Sequence, residues 1–397
     1  MWWIVMLVGL TAATASCHGM PLPVVRPETV GMSSERLRQV DGLIQQAIAN
    51  QDIPGAVLLV ARKDKVVWRK AYGNSQLVPT VEPMREDAIF DLASITKPVA
   101  TASAVMLLVE RGQIRLNDPV RLYIPEFTRY VGPSNKPSED ARIYHLLTHT
   151  SGLPPYTNAD TAAAVLGRPC DPEQLALYIA RLPKIAPPGK EFHYSCLGFI
   201  TLAAIVKRVT GEPFERFVRE NLFEPLGMRD TGFLPPKEKL DRVVPTEVIE
   251  GKPLRGVVHD PLARLQGGVS GNAGLFSTAD DLLRFSLMLL HEGELDGVRI
   301  FSPLTVRTMT SVYPEVAFAG RGLGWDVASD YSSNGGELFP SSGFGHTGYT
   351  GTSLWIDRET QTVVILLANR VHPVDDGSVV RLRSQIANVV AGAIIEP

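Results

Sequence analysis

The sequence predicts an α+β protein in which an antiparallel sheet is flanked by helices and carries an inserted, mostly helical domain. Three observations lead there. A helix and a hairpin open the chain, a hairpin and a helix close it, and the text between them is helical and interrupted by many proline-containing loops. Strands and helices segregated in this way favour a sheet assembled from both chain ends, with the active cleft between sheet and insertion. The expected boundaries are 25–112 with 265–397 for the discontinuous sheet domain and 113–264 for the helical domain.

Each element has its own signal. From Ser33 to Asn50, Leu37, Val40, Leu43, Ile44, Ala47 and Ile48 recur at helical spacing behind a Ser33-Ser34 cap. Residues 55–61 and 65–72 read as strands joined by the polar turn Arg62-Lys-Asp64. A helix is expected from Ser94 through Glu110 to Gly112, and another from Leu197 to Thr210, closed by Gly211. Residues 352–357 and 362–368 flank the turn Arg358-Glu-Thr360, and an amphipathic helix follows from Val379 to Ala393.

Composition removes some classes of function. The formal net charge is −3 and no block of like charge occurs, so neither nucleic acid nor an anionic membrane is an expected partner. Residues 1–20 begin with an apolar run, followed by small residues that include Ala13-Thr-Ala15, which reads as a signal for export to a periplasmic or extracellular location. No Lys or Arg precedes that run, and a start at Met20 is the alternative. Cys17 is a candidate lipid anchor. The odd cysteine count (Cys17, Cys170, Cys196) excludes a disulfide scaffold. Free thiols at Cys170 and Cys196 are expected, with one bridge between them as the alternative.

Three clusters can carry chemistry. Ser94-Ile-Thr-Lys97 is the only S-x-x-K in the chain, although roughly one or two copies would arise by chance in this length. At a helix start this spacing puts both side chains on one face, beside free N–H groups that favour an oxyanion. In a dry site Lys97 could lose its proton and accept that of Ser94. Tyr194 follows a Pro-Gly turn and precedes a helix, where its hydroxyl could serve as a base or as the acid for a leaving group; taken singly, a tyrosine in this setting is more often a packing residue. Gly343-Phe-Gly-His346-Thr347-Gly348-Tyr349 leads into a strand, and the Tyr349 N–H could join that of Ser94 as the second oxyanion donor. His145 and His149 have zinc-compatible spacing but no accompanying H-E-x-x-H, and are expected to be structural. No G-x-S-x-G is present, which argues against an α/β-hydrolase elbow.

In their order and spacing these clusters resemble the serine β-lactamase and penicillin-binding protein superfamily, for which S-x-x-K is a signature. The phrases Leu146-Leu-Thr-His-Thr-Ser-Gly-Leu153, Pro225-Leu-Gly-Met228, Gly271-Asn-Ala-Gly-Leu-Phe-Ser-Thr278 and Ala368-Asn-Arg-Val-His-Pro373 look like the branch of class C β-lactamases, D-alanyl-D-alanine carboxypeptidases and family VIII esterases. The resemblance covers about residues 25 to 395. It implies a β-lactamase/transpeptidase-like fold and a serine hydrolase that passes through a covalent acyl-enzyme. Ser94 matches the acylated serine, Lys97 its partner and Tyr194 the base or acid, with Cys196, His346, Thr347 and Gly348 around a small-molecule or peptidoglycan-peptide substrate. No metal or other cofactor is implied. Two departures stand out. Cys196 occupies a position where Asn or Asp is usual, and it hydrogen-bonds only weakly. His346 replaces a common lysine and, being mostly neutral, should weaken the hold on a substrate carboxylate. They leave open the D-Ala peptide, β-lactam and carboxylic-ester substrates, as well as a penicillin-binding sensor that does not hydrolyse.

Overall fold

The computed structural model of the protein describes residues 21–396; the export-signal reading and Cys17 fall outside the described residues. The main sheet has six strands: β1 (Gly55–Arg62), β2 (Lys65–Gln76), β3 (Glu82–Pro83), β4 (Gly343–Thr347), β5 (Ser353–Asp357) and β6 (Thr362–Ala368). Their order is β4-β5-β6-β1-β2-β3, and every neighbouring pair is antiparallel. The β1–β2 hairpin turns through Lys63 and Asp64 with φ of 47° and 61°, the paired left-handed geometry that matches strand twist.

The seam between the two chain ends is β1 against β6, in register from Ala56 opposite Ala368 to Arg62 opposite Thr362. Both strands are buried throughout because the sheet is covered on both faces. Val57, Leu59, Ala61, Val363, Ile365 and Leu367 enter one core, whereas Ala56, Leu58, Val60, Val364, Leu366 and Ala368 enter the other. The helices that matter are α1 (Gln39–Ala49), α2 (Ser103–Glu110), α3 (Cys196–Thr210), α4 (Ala279–Leu290) and α5 (Val380–Gly392). Val40 and Ile44 of α1 and Leu382, Ile386 and Val390 of α5 seal the second face. The first face packs on α4 and continues, without a break in the apolar cluster, into the helical insertion through Leu197, Phe199 and Leu202 of α3.

The expected helix beginning at Ser94 is not uniform. A 3-10 turn (Ala93–Ile95) and a π-helical stretch (Lys97–Ala102) precede α2. Pro98 has no N–H to continue an α-helical ladder, and its carbonyl instead accepts from Ser103 Oγ at 3.0 Å. Elsewhere the structure adds a short helix, Ser34–Leu37, capped by Ser33 ahead of α1, and ends α3 at Gly211 with φ of 73°. Cys170 and Cys196 are both free.

Two-sided burial of β1 makes a specific demand. Leu58→Ala and Leu59→Ala, on opposite faces, should each cost about 2–5 kcal/mol in urea unfolding. A near-neutral result for either would mean that its face is not a true core.

Candidate active site

The turn carrying Ser94 is clamped from both sides. Asp91, at the end of a two-residue strand, accepts the Ala93 N–H on Oδ1 at 2.9 Å and the His259 N–H on Oδ2 at 2.7 Å. Ala93 is thereby held at φ of 46°, a conformation that costs a residue with a Cβ of the order of 1 kcal/mol or more. Burial raises the Asp91 carboxyl above its ordinary range, against the opposing pull of those two N–H groups.

Lys97 is completely buried, and its Nζ donates to Ser94 Oγ at 2.8 Å and to the Asn272 carbonyl at 3.0 Å. That carbonyl is delivered by a tight crossing at Gly271, whose own carbonyl accepts from Thr101 Oγ1 at 2.7 Å. A Cβ on Gly271 would lie 2.0 Å from the Phe199 carbonyl oxygen, so only glycine passes there. Burial and the neighbouring groups act on the Lys97 proton in opposite senses. Burial does act to strip its proton, but Cys196 and Tyr194, negative when ionised, a hydrogen bond to Tyr194 and the charge of Asp260 together raise Lys97 above its usual value.

Tyr194 is held by aromatic stacking on both faces. His149 lies 4.2 Å away at 27° and Tyr331 lies 5.0 Å away at 21°, measured between ring centroids. Lys97 Nζ is 5.0 Å from the Tyr194 ring centre. His149 fixes the loop in two further ways: its Nδ1 accepts the Ser195 N–H at 2.9 Å, and its carbonyl accepts the His193 N–H at 2.9 Å. His145 Nδ1 likewise accepts the Arg142 N–H at 2.9 Å, and burial holds this imidazole down to about 4. Both histidines are structural, and no group of ligands is arranged for a metal among the described residues.

The third cluster docks on the first. Thr350 Oγ1 donates to the Asp91 carbonyl at 2.7 Å and Thr352 Oγ1 to the Leu92 carbonyl at 3.0 Å. At Gly348 a Cβ would meet the Leu92 oxygen at 2.3 Å, so a side chain there would prise β4 from the Ser94 turn. The resulting cleft, of about 440 Å³, is lined by Ser94, Tyr194, Thr347, Gly348 and Tyr349. Two of the expected substrate-binding residues are absent from that wall. Cys196, half-buried on the first turn of α3, has its thiol raised by desolvation while Lys97 and Asn272 oppose the rise. His346 is 1% exposed, donates from Nδ1 to the Thr347 carbonyl at 2.8 Å and faces Tyr194 at 6.1 Å. Burial, with Arg321 and Lys97 nearby, holds His346 well below its usual value.

Sequence reasoning missed Arg370 and Arg383, which line the same cleft. Arg383 Nη2 donates to the Gly348 and Thr352 carbonyls at 2.7 Å each. Burial and Arg370 lower its guanidinium to about 9, which leaves it charged at neutral pH. Arg370 stood inside a quoted phrase, but nothing in the alternation of α5 marks Arg383 as facing a cleft. The hydrogen bonds also assign tautomers: His149 carries its proton on Nε2 and His346 on Nδ1. Nitrogen NMR of histidine-labelled protein should show these opposite tautomers and no titration of either ring between about pH 5 and 8, since burial disfavours both charged forms. A ring that protonates in that window would overturn the assignment.

The β-lactamase family model matches residues 40–388. A relative in Escherichia coli with the provisional name D-alanyl-D-alanine carboxypeptidase is 32% identical over 401 residues, covering 93% of this chain and 91% of its own length. Another so named, in Salmonella schwarzengrund, is 33% identical over 378 residues, covering 88% of this chain and 86% of its own. Among solved structures, EstCE1, described as a hydrolase with promiscuous acyltransferase activity, aligns with a TM-score of 0.73 at 27% identity, over 90% of this chain and 99% of that one. A family VIII carboxylesterase shares the fold with a TM-score of 0.68 at 20% identity, over 91% and 99% of the two chains. With the Ser94 turn, the Tyr194 loop and the Gly348 crossing meeting in one cleft, the chain belongs to the β-lactamase family of serine hydrolases.

Proposed function

We propose that the protein hydrolyses an ester or amide through an acyl group carried on Ser94, with esters turned over faster. The observation carrying this reading is Lys97 Nζ, buried and 2.8 Å from Ser94 Oγ beside the Tyr194 ring. In this mechanism Lys97 keeps its proton and the Tyr194 oxygen acts as the base that receives the Ser94 proton. Ser94 Oγ attacks the carbonyl, and the N–H groups of Ser94 and Tyr349 receive the oxyanion. Tyr194 returns the proton to the departing alcohol or amine. Water then adds to the acyl group, gives its proton to Tyr194 and releases the acid as Ser94 recovers its hydrogen.

The preference for esters rests on Cys196. A thiol offers a weak hydrogen bond where a side-chain amide would orient the substrate amide. A second reading, a peptide ending in D-Ala, draws support from Arg383 and Arg370, which put cationic groups in the cleft that the neutral His346 does not supply. Export of the chain, and a lipid on Cys17, remain proposals from the sequence of residues 1–20.

With a short-chain p-nitrophenyl ester, Ser94→Ala should lower kcat/KM by at least about a thousandfold, and mass spectrometry should find the acyl group on Ser94 in the parent protein. Retained turnover in Ser94→Ala would refute the mechanism. Labelling by a fluorescent penicillin without release or ester turnover would mark a sensor. Cys196→Asn should raise amide or β-lactam turnover relative to ester turnover, and an unchanged ratio would remove Cys196 from the account of specificity.

A further inference from the structure

Charged and titratable groups face Tyr194 from several segments. Lys97 comes from the Ser94 helix, His149 from the loop beneath it, Tyr331 from the cleft mouth and His346 from β4. Behind Lys97 lie Cys196 and Asp260. The remaining group is Arg321, whose guanidinium carbon is 5.9 Å from the Tyr194 ring centre and 6.0 Å from that of Phe192. Arg321 is fully buried and pairs with Asp326, whose carboxylate also accepts from Ser329 Oγ at 2.9 Å. Its Nε and Nη2 have no hydrogen-bond partner among the described residues.

The position is fixed by the backbone. Arg321 and Asp326 face each other in an antiparallel bridge, and Asp326 exchanges two backbone hydrogen bonds of 2.9 Å with Gly345, the neighbour of His346. The guanidinium is therefore attached to the strand that carries His346. That imidazole is neutral, and so is His149, which burial, Arg321 and Lys97 hold well below its usual value. Burial lowers Arg321 only to about 10, so it keeps its charge at neutral pH. Lys97 and Arg321 are thus the two cations within 6 Å of the Tyr194 ring centre among the described residues.

We propose that Arg321 is a positioning residue for proton transfer, supplying from behind the Tyr194 ring the second positive charge that favours its phenolate, in place of a charge that His346 does not carry. It touches neither substrate nor Ser94 and acts only through Tyr194. A cation at this range favours the anionic partner, and Asp326 offsets part of the effect. The inference rests on Tyr194 accepting the Ser94 proton.

The test reads the pH dependence of kcat/KM on a p-nitrophenyl ester, together with the ultraviolet titration of tyrosinate, taken as the difference between each protein and its Tyr194→Phe counterpart. Arg321→Gln should move the acid limb, and the Tyr194 titration, upward by about one pH unit, and Arg321→Lys should largely restore both. Asp326→Asn, which leaves the guanidinium charge uncompensated, should move both downward. A purely structural role would lower activity without displacing the limb, and that result, or no change in either readout, would overturn the proposal. Should Arg321→Gln fail to fold, Asp326→Asn decides on the same terms. An inactive parent protein would count against the acyl-serine reading alone, because the tyrosinate titration needs no turnover.

Discussion

A lysine amine sealed from water is the constraint around which this site is organised. Lys97 has no exposure, so its three N–H bonds must be met by protein, and the cost of failing to meet them is several kcal/mol. Ser94 Oγ meets one and the Asn272 carbonyl another, with the Tyr194 oxygen alongside. Those partners come from three separated stretches of chain. The requirement to satisfy one buried charge therefore fixes the relative placement of the Ser94 turn, the Tyr194 loop and the Gly271 crossing.

The sheet supplies the rigidity this arrangement needs. β4 reaches the Ser94 turn because Thr350 and Thr352 bind the Asp91 and Leu92 carbonyls and Gly348 has no side chain to keep them apart. β4 is in turn the edge of a sheet whose centre is buried on both faces. Loops held at both ends by such a scaffold place donors more accurately than free loops can.

Much of the scaffold was legible from local text. Alternation and turn residues marked the hairpins, Gly211 marked the end of α3, and Ser94, Lys97 and Tyr194 stood out together by type and setting. What escaped was set by tertiary contact. Pro98 turned an expected α-helix into a π-helical stretch that only the packing of Ser103 accommodates. The proton affinity of Lys97 reflects Cys196 and Tyr194, which are distant in sequence, as well as its burial. His346 looked like a cleft residue because its neighbours are; strand alternation instead turns its ring inward to Tyr194. Arg321 and Arg383 carry no local mark, since an arginine in such text is ordinarily a solvated one.

The β1–β6 seam has a consequence for how the molecule comes into being. Every residue of the Ser94 and Tyr194 clusters is synthesised before β6, yet β1 keeps a bare, apolar edge until residues 362–368 emerge. Pairing across so long a separation is slow, and an unfilled central slot invites other strands. A chain cut short of β6 would hold Ser94 and Tyr194 without the seam that aligns them. Competence for acyl transfer is thereby tied to completion of the polypeptide, and partial products are left recognisable by their open sheet.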